Sequence, residues 1–154
     1  MARAISPVLG VVLLAACAVL LSATVGAMAL AYEPAEPAST VLVIGAVDAG
    51  DNEVTLTLDR GGPLDVRRLT LVVEIDGEPL EKQPTVPAYS QSGFTGFPSG
   101  PFNAGTDPEW NRGESASLTV AKTTNSPQPD PGSRVEIRIF EDDLPIATVE
   151  TTAS

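Results

Sequence analysis

From Ile5 to Ala31 the chain reads ISPVLGVVLLAACAVLLSATVGAMALA without one charged residue, and no other feature limits its fold so sharply. As an α-helix this run is about 40 Å long at ~1.5 Å per residue, enough to cross the ~30 Å hydrocarbon core of a bilayer with some overhang or tilt. A cleavable secretory signal carries an apolar stretch of about 7 to 15 residues, and this run is roughly twice that. The expectation is therefore a transmembrane helix over residues 5–32 that the mature protein keeps. Two other readings stay open. ATVGAMA offers small residues for late cleavage, and Leu14-Ala15-Ala16-Cys17 fits the pattern that precedes a lipidated cysteine. Against lipidation, the apolar helix continues from Ala18 to Ala31, where a polar tether would normally follow. Ser6 is placed to cap the first free amides and Pro7 to fill the first helical position. Arg3 and the amino terminus are the positive charges near the span, so the positive-inside rule puts the N-terminus in the cytoplasm and all that follows Tyr32 outside.

Composition narrows the partners. Of the 154 residues, 20 are Asp or Glu and 9 are Lys or Arg, for a net charge of -11, and the lysines are Lys82 and Lys122 alone. The acid is spread through every segment beyond residue 32, so it coats a surface and forms no tail. Nucleic acid and anionic headgroups would be repelled. Diffuse carboxylates with Arg preferred to Lys are the pattern of proteins that work in molar salt, where their mutual repulsion is screened. Histidine is absent and Cys17 is the one cysteine. The usual general base, catalytic triad and zinc-ligand sets are therefore missing, no disulfide can form within the chain, and neither an enzyme nor a cofactor is expected.

After Tyr32 the stretch EPAEPAS, residues 33–39, ends the helix and reads as a linker. The period then changes to two. TVLVIGAV is a first apolar strand; EVTLTLD places Val54, Leu56 and Leu58 on one face, and RLTLVVEID does so with Leu69, Leu71, Val73 and Ile75. Further on, ESASLTVAK offers Ala116, Leu118 and Val120, RVEIRIF offers Val135, Ile137 and Ile139, and PIATVETT closes the chain. Strands at this spacing with no amphipathic helix predict an all-β, immunoglobulin-like antiparallel sandwich over residues 40–154. DAGDN reads as a turn, and EIDGEPL and IFEDDLPI read as paired hairpins.

Between Glu81 and Gly113 the sequence is irregular and rich in Pro, Gly and aromatics. Loops of this length are often functional. Trp110 is expected to plug the end of the core, while Tyr89, Phe94, Phe97 and Phe102 fit either a recognition surface or the core. DAGDNE and EDD lack the spacing of a calcium loop, and no phosphate-binding glycine loop or Asn-x-Ser/Thr sequon is present.

Arg3 and Ala4 before Ile5-Ser6-Pro7-Val8-Leu9-Gly10, and the uncharged span after them, closely resemble the N-terminus of haloarchaeal type IV pilins, the archaeal pilin N-terminal family. The resemblance covers roughly the first 30 residues. It implies that residues 1–4 are a leader, that a prepilin peptidase recognises Arg3 and Ala4 and cuts before Ile5, and that the helix stays on the mature chain. It also implies insertion in the membrane before assembly, a partnership with other pilin subunits, and a final place in an extracellular filament that serves adhesion or attachment. Small residues give the helix stripes at i, i+4 spacing, Ala18, Ser22 and Gly26 on one and Ala23, Ala27 and Ala31 on another. Such stripes let helices approach closely. The rival function is a permanently anchored surface module that binds a solute or partner, by lipid on Cys17 in one version, and never polymerises.

Overall fold

Each long alternating stretch of the chain becomes a strand, because the pleat sends successive side chains to opposite faces and only one face can be buried. The computed structural model describes the backbone of residues 5–31 and 41–154, and the side chains of residues 7–20 and 41–154. The strands are β1 Leu42–Asp48, β2 Glu53–Arg60, β3 Leu64–Asp65, β4 Leu69–Ile75, β5 Glu78–Pro79, β6 Phe94–Thr95, β7 Glu109–Trp110, β8 Ser115–Val120, β9 Arg134–Glu141 and β10 Leu144–Thr152. One four-stranded sheet has the order β1-β2-β8-β6, a second has the order β10-β9-β4-β5, and β3 pairs with β7 in a short ribbon. All of these ladders are antiparallel.

Val54, Leu56 and Leu58, then Leu69, Leu71, Val73 and Ile75, then Ala116, Leu118 and Val120, and finally Val135, Ile137 and Ile139 are each 5% exposed or less. They form one core cluster drawn from both sheets. At roughly 2 kcal/mol for each large aliphatic side chain fully buried, this core holds the sheets face to face. Its members all lie between Val43 and Ala153, within the compact unit Pro37–Ser154. That unit thus has the core it needs to fold by itself.

The two sheets meet along β1 and β10. An added Cβ at Gly45 would come within 2.6 Å of Val149 Cγ1, so glycine is what lets β1 approach β10 there. Backbone bonds close the same side: the Ser154 N–H donates to the Val47 carbonyl at 3.0 Å, and the Ser154 carbonyl accepts from the Ala49 N–H at 3.0 Å.

Two tight hairpins share one geometry. Asp76 and Gly77 turn β4 into β5 with φ of 52° and 82°, and Asp142 and Asp143 turn β9 into β10 with φ of 47° and 68°. Positive φ at both central residues matches the right-handed twist of the strands. Arg68 Nε donates to Asp142 Oδ2 at 2.9 Å, and this bond draws the Asp142 carboxyl below its ordinary pKa. Asp143→Gly is expected to raise stability by about 0.5–1 kcal/mol, since glycine reaches positive φ without crowding from a Cβ. The same change at Asp142 deletes the Arg68 bond and is expected to gain nothing. Urea denaturation of the two variants checks both.

The N-terminal unit calls for a correction. Its backbone is helical from Ile5 to Ala31, 27 residues. Among the described residues no helix is long and apolar enough to cross a membrane, against the ~30 Å a span requires. The expected transmembrane helix over 5–32 and the single-pass location with its cytoplasmic N-terminus are overturned on that finding. The leader, residues 1–4 with Arg3 and Ala4, and the linker, residues 33–39, lie outside the described residues, as does Tyr32.

Candidate functional site

The long segment between β5 and β7 is tied down by side chains more than by ladders. Gln83 takes the place of a strand beside β4. Its Oε1 accepts from the Val73 N–H at 2.7 Å, and its Nε2 donates to the carbonyls of Val73 and Leu80, each at 3.0 Å. Asn125, nearly buried, sits at the other anchor. Its Oδ1 accepts from the Lys82 N–H at 2.9 Å, and its Nδ2 donates to the Lys82 carbonyl at 2.9 Å and the Gly93 carbonyl at 3.1 Å. Gln128 extends the network, with Nε2 donating to the Ala121 and Asn125 carbonyls at 3.2 and 2.7 Å, and with its Oε1 bonded to Asn52 Nδ2. Buried backbone groups in a segment with little secondary structure need such partners.

The aromatic residues separate on this scaffold. Phe102 and Trp110 are fully buried, with ring centroids 5.1 Å apart and planes at 70°. Trp110 Nε1 donates to the Glu114 carbonyl at 2.8 Å. Phe102 as a surface recognition residue is thus corrected: at Gly100, φ 56°, an added Cβ would lie 2.3 Å from the Ser115 carbonyl oxygen. The chain presses onto β8 there, and the next aromatic lands in the core. Phe94 is half-buried and packs against the core. Tyr89 and Phe97 stand out, 61% and 70% exposed.

Charge sorts onto particular places as well. A shallow cleft of about 270 Å³ is lined by Pro63, Asp65, Arg67, Asp107, Pro108 and Glu109. Arg67 holds Asp65 with Nε at 2.9 Å and Nη2 at 2.7 Å, and the pair lowers the Asp65 carboxyl to about 2. The cation in this cleft is therefore already engaged. Among the described residues no group of three or more His, Cys, Asp or Glu side chains is placed to hold a metal ion.

The outward face of the β1-β2-β8-β6 sheet is different. Its rows follow from register. Ile44 lies beside Thr57, and Thr57 beside Ser115; Ala46 lies beside Thr55, and Thr55 beside Ser117. The Thr57 and Ser115 hydroxyls bond at 2.8 Å, as do those of Ser117 and Ser99. Formal charges lie toward the ends of the strands, where Asp48 faces Glu53, Leu42 faces Arg60, and Asp59 stands beside the irregularity between them. The outward face of the other sheet is charged across its middle: Arg138 bonds to Glu74 and lies 3.7 Å from Glu136, and Arg134 pairs with Glu150 at 2.8 Å. The hydroxyl face escaped the sequence reading because it needs cross-strand register. Its signal was there in part: residues 83–106 carry no charge, and the middle outward positions of EVTLTLD and ESASLTVAK, Thr55, Thr57, Ser115 and Ser117, are all hydroxyls.

Of the helix positions expected to pack, Ala18 lies on the described helix. The side chains of Ser22, Ala23, Gly26 and Ala27 lie outside the described residues, as does that of Ile5, although the backbone at all five is helical. No protein-family model matches the chain, and no curated protein matches it. The likeness of the N-terminal segment to archaeal pilins accordingly rests on those residues alone.

Proposed function

We propose that this chain is the structural subunit of a surface filament, assembled through its N-terminal helix, with the acidic sandwich displayed on the outside. The observation that carries the reading is the exposure of the helix. Val8, Leu9, Val11, Val12, Leu13, Leu14 and Leu20 are 57–74% exposed. They point all round the described part of the helix, which therefore keeps no face for water there, and a helix apolar on every side is stable only where every side is covered. A bundle of like helices covers it, and the small residues Ala18, Ser22 and Gly26 let neighbours come close. The resemblance of residues 3–30 to pilins supports the same arrangement and adds the processing step, a prepilin peptidase cut between Ala4 and Ile5. Attachment or adhesion is the service such a filament performs.

The test is Gly26→Leu, whose added bulk separates helices that must touch. Total chain in the cells and the fold of the sandwich should be unchanged, while the chain should vanish from sheared filament material. Mass spectrometry of the wild-type filament fraction should find Ile5 as the first residue and Cys17 unmodified. Equal filament yield from both chains, or a mature protein beginning at a lipidated Cys17, would overturn the reading in favour of an anchored binding module.

A further inference from the structure

We infer that the outward face of the β1-β2-β8-β6 sheet is a contact surface for a second copy of this chain. Electrostatics selects the face. A chain with net charge -11 repels its own copies wherever carboxylates meet. On this face the central rows, Ile44-Thr57-Ser115 and Ala46-Thr55-Ser117, hold no charge at all. In molar salt the Debye length falls to about 3 Å, so the carboxylates at the row ends are screened from those of a facing copy.

The cost of drying the face is low as well. Burying a hydroxyl is unfavourable chiefly when it loses its hydrogen bond. Here Thr57 and Ser115, and Ser117 and Ser99, already bond to each other at 2.8 Å and keep those bonds when water leaves. Along the β1 edge Leu42 and Ile44, 44% and 54% exposed, and Ala46 supply the apolar area that gains from being covered.

Size sets the strength. Three strands ~4.8 Å apart and about six residues long at ~3.3 Å each, with the two-residue β6 beside them, present roughly 300 Å² per copy, or about 600 Å² for a face-to-face pair, below the ~1,200 Å² of a stable specific interface. The contact is accordingly weak between free domains, and effective only where copies are held at millimolar local concentration by a tether. It rests on the filament reading for that tether alone, because the contact itself belongs to the sandwich.

The experiment is sedimentation equilibrium of the 37–154 fragment, whose core is self-contained, at millimolar concentration in low and in molar salt. Thr57→Glu puts a charge in the middle of the face, and Thr70→Glu puts one on the outward face of the other sheet; circular dichroism checks that both fold. A two-fold contact meets the Thr57 charge twice and buries it at the centre of the face, where salt does not screen it as it does the rim. We expect a reversible dimer in molar salt, an association constant at least tenfold lower for Thr57→Glu, and no change for Thr70→Glu. A fragment that stays monomeric throughout, or equal association by the two variants, overturns the inference and leaves the face to a partner of other chemistry. Neither result touches the Gly26→Leu test, so the two readings fail separately.

Discussion

Trp110→Ala is expected to lower the stability of the sandwich by about 4 kcal/mol, in the range found when a buried large aromatic is truncated. Three losses add up at this position. The indole is fully buried, so its removal leaves a cavity that the surrounding strands can fill only in part. The edge-to-face contact with Phe102, centroids 5.1 Å apart, is lost, worth about 1 kcal/mol beyond the area buried. The Glu114 carbonyl also loses the Nε1 donor at 2.8 Å. For a domain of this size the drop corresponds to roughly 15 °C in melting temperature, readable by calorimetry. Trp110→Phe keeps most of the volume and should cost clearly less. A loss no greater than that of an exposed substitution such as Phe97→Ala would mean that the Phe102–Trp110 pair does not close the core.

Asn125→Leu comes next, with an expected cost of about 3 kcal/mol. The leucine has nearly the asparagine's shape, so packing changes little, but the N–H groups of Lys82 and Ser126 and the Lys82 carbonyl lose partners at 2.9, 3.1 and 2.9 Å, and the Gly93 carbonyl keeps only the Ala121 N–H. Each buried group left unpaired costs about 1–3 kcal/mol, reduced where water can reach it. The damage should be local as well as global: hydrogen exchange at Lys82 should quicken more than exchange at Val73, whose N–H is held by Gln83. Asn125→Asp sharpens the argument with pH. A carboxylate at Nδ2 would face two carbonyl oxygens, which raises its folded-state pKa. The protonated form can donate to one of them, so this variant should recover stability as pH falls through the raised pKa, whereas Asn125→Leu should not. Matching pH profiles for the two would show that the bonds to Nδ2 contribute little.

Much of the sandwich was legible in the sequence because alternation is a local property. A period of two at EVTLTLD or RVEIRIF says which side chains share a face, and in a domain this small one face has to be the core. The turns were legible for the same reason, since Asp-Gly and Asp-Asp sit where the chain must take positive φ. The two-residue strands β3, β6 and β7 were not, because nothing local distinguishes them from loop. They exist through their partners: Phe94 lies opposite Val120 and Leu64 opposite Trp110. The aromatics of the long segment stayed ambiguous on the same ground. Phe97 and Phe102 have similar neighbours in sequence, and only the packing of Gly100 onto Ser115 turns one into the core and leaves the other in water.

The sequence by itself determined the division of labour in the chain: an uncharged helical run at one end, an acidic β domain at the other, the inward set of every long strand, and a composition without histidine or a second cysteine. Each is a matter of residue type and spacing along the chain. Tertiary structure decided what depends on residues distant in sequence. It chose which strands share a sheet, it closed the β1–β10 side at Gly45, and it brought Asn125 to Lys82 and Gly93. It also set Thr57 beside Ser115 and Ser117 beside Ser99, making a neutral face on an acidic protein. The physical reason is that charge and hydropathy can be read one residue at a time, whereas a surface is made by register, and register is fixed only when the whole core packs.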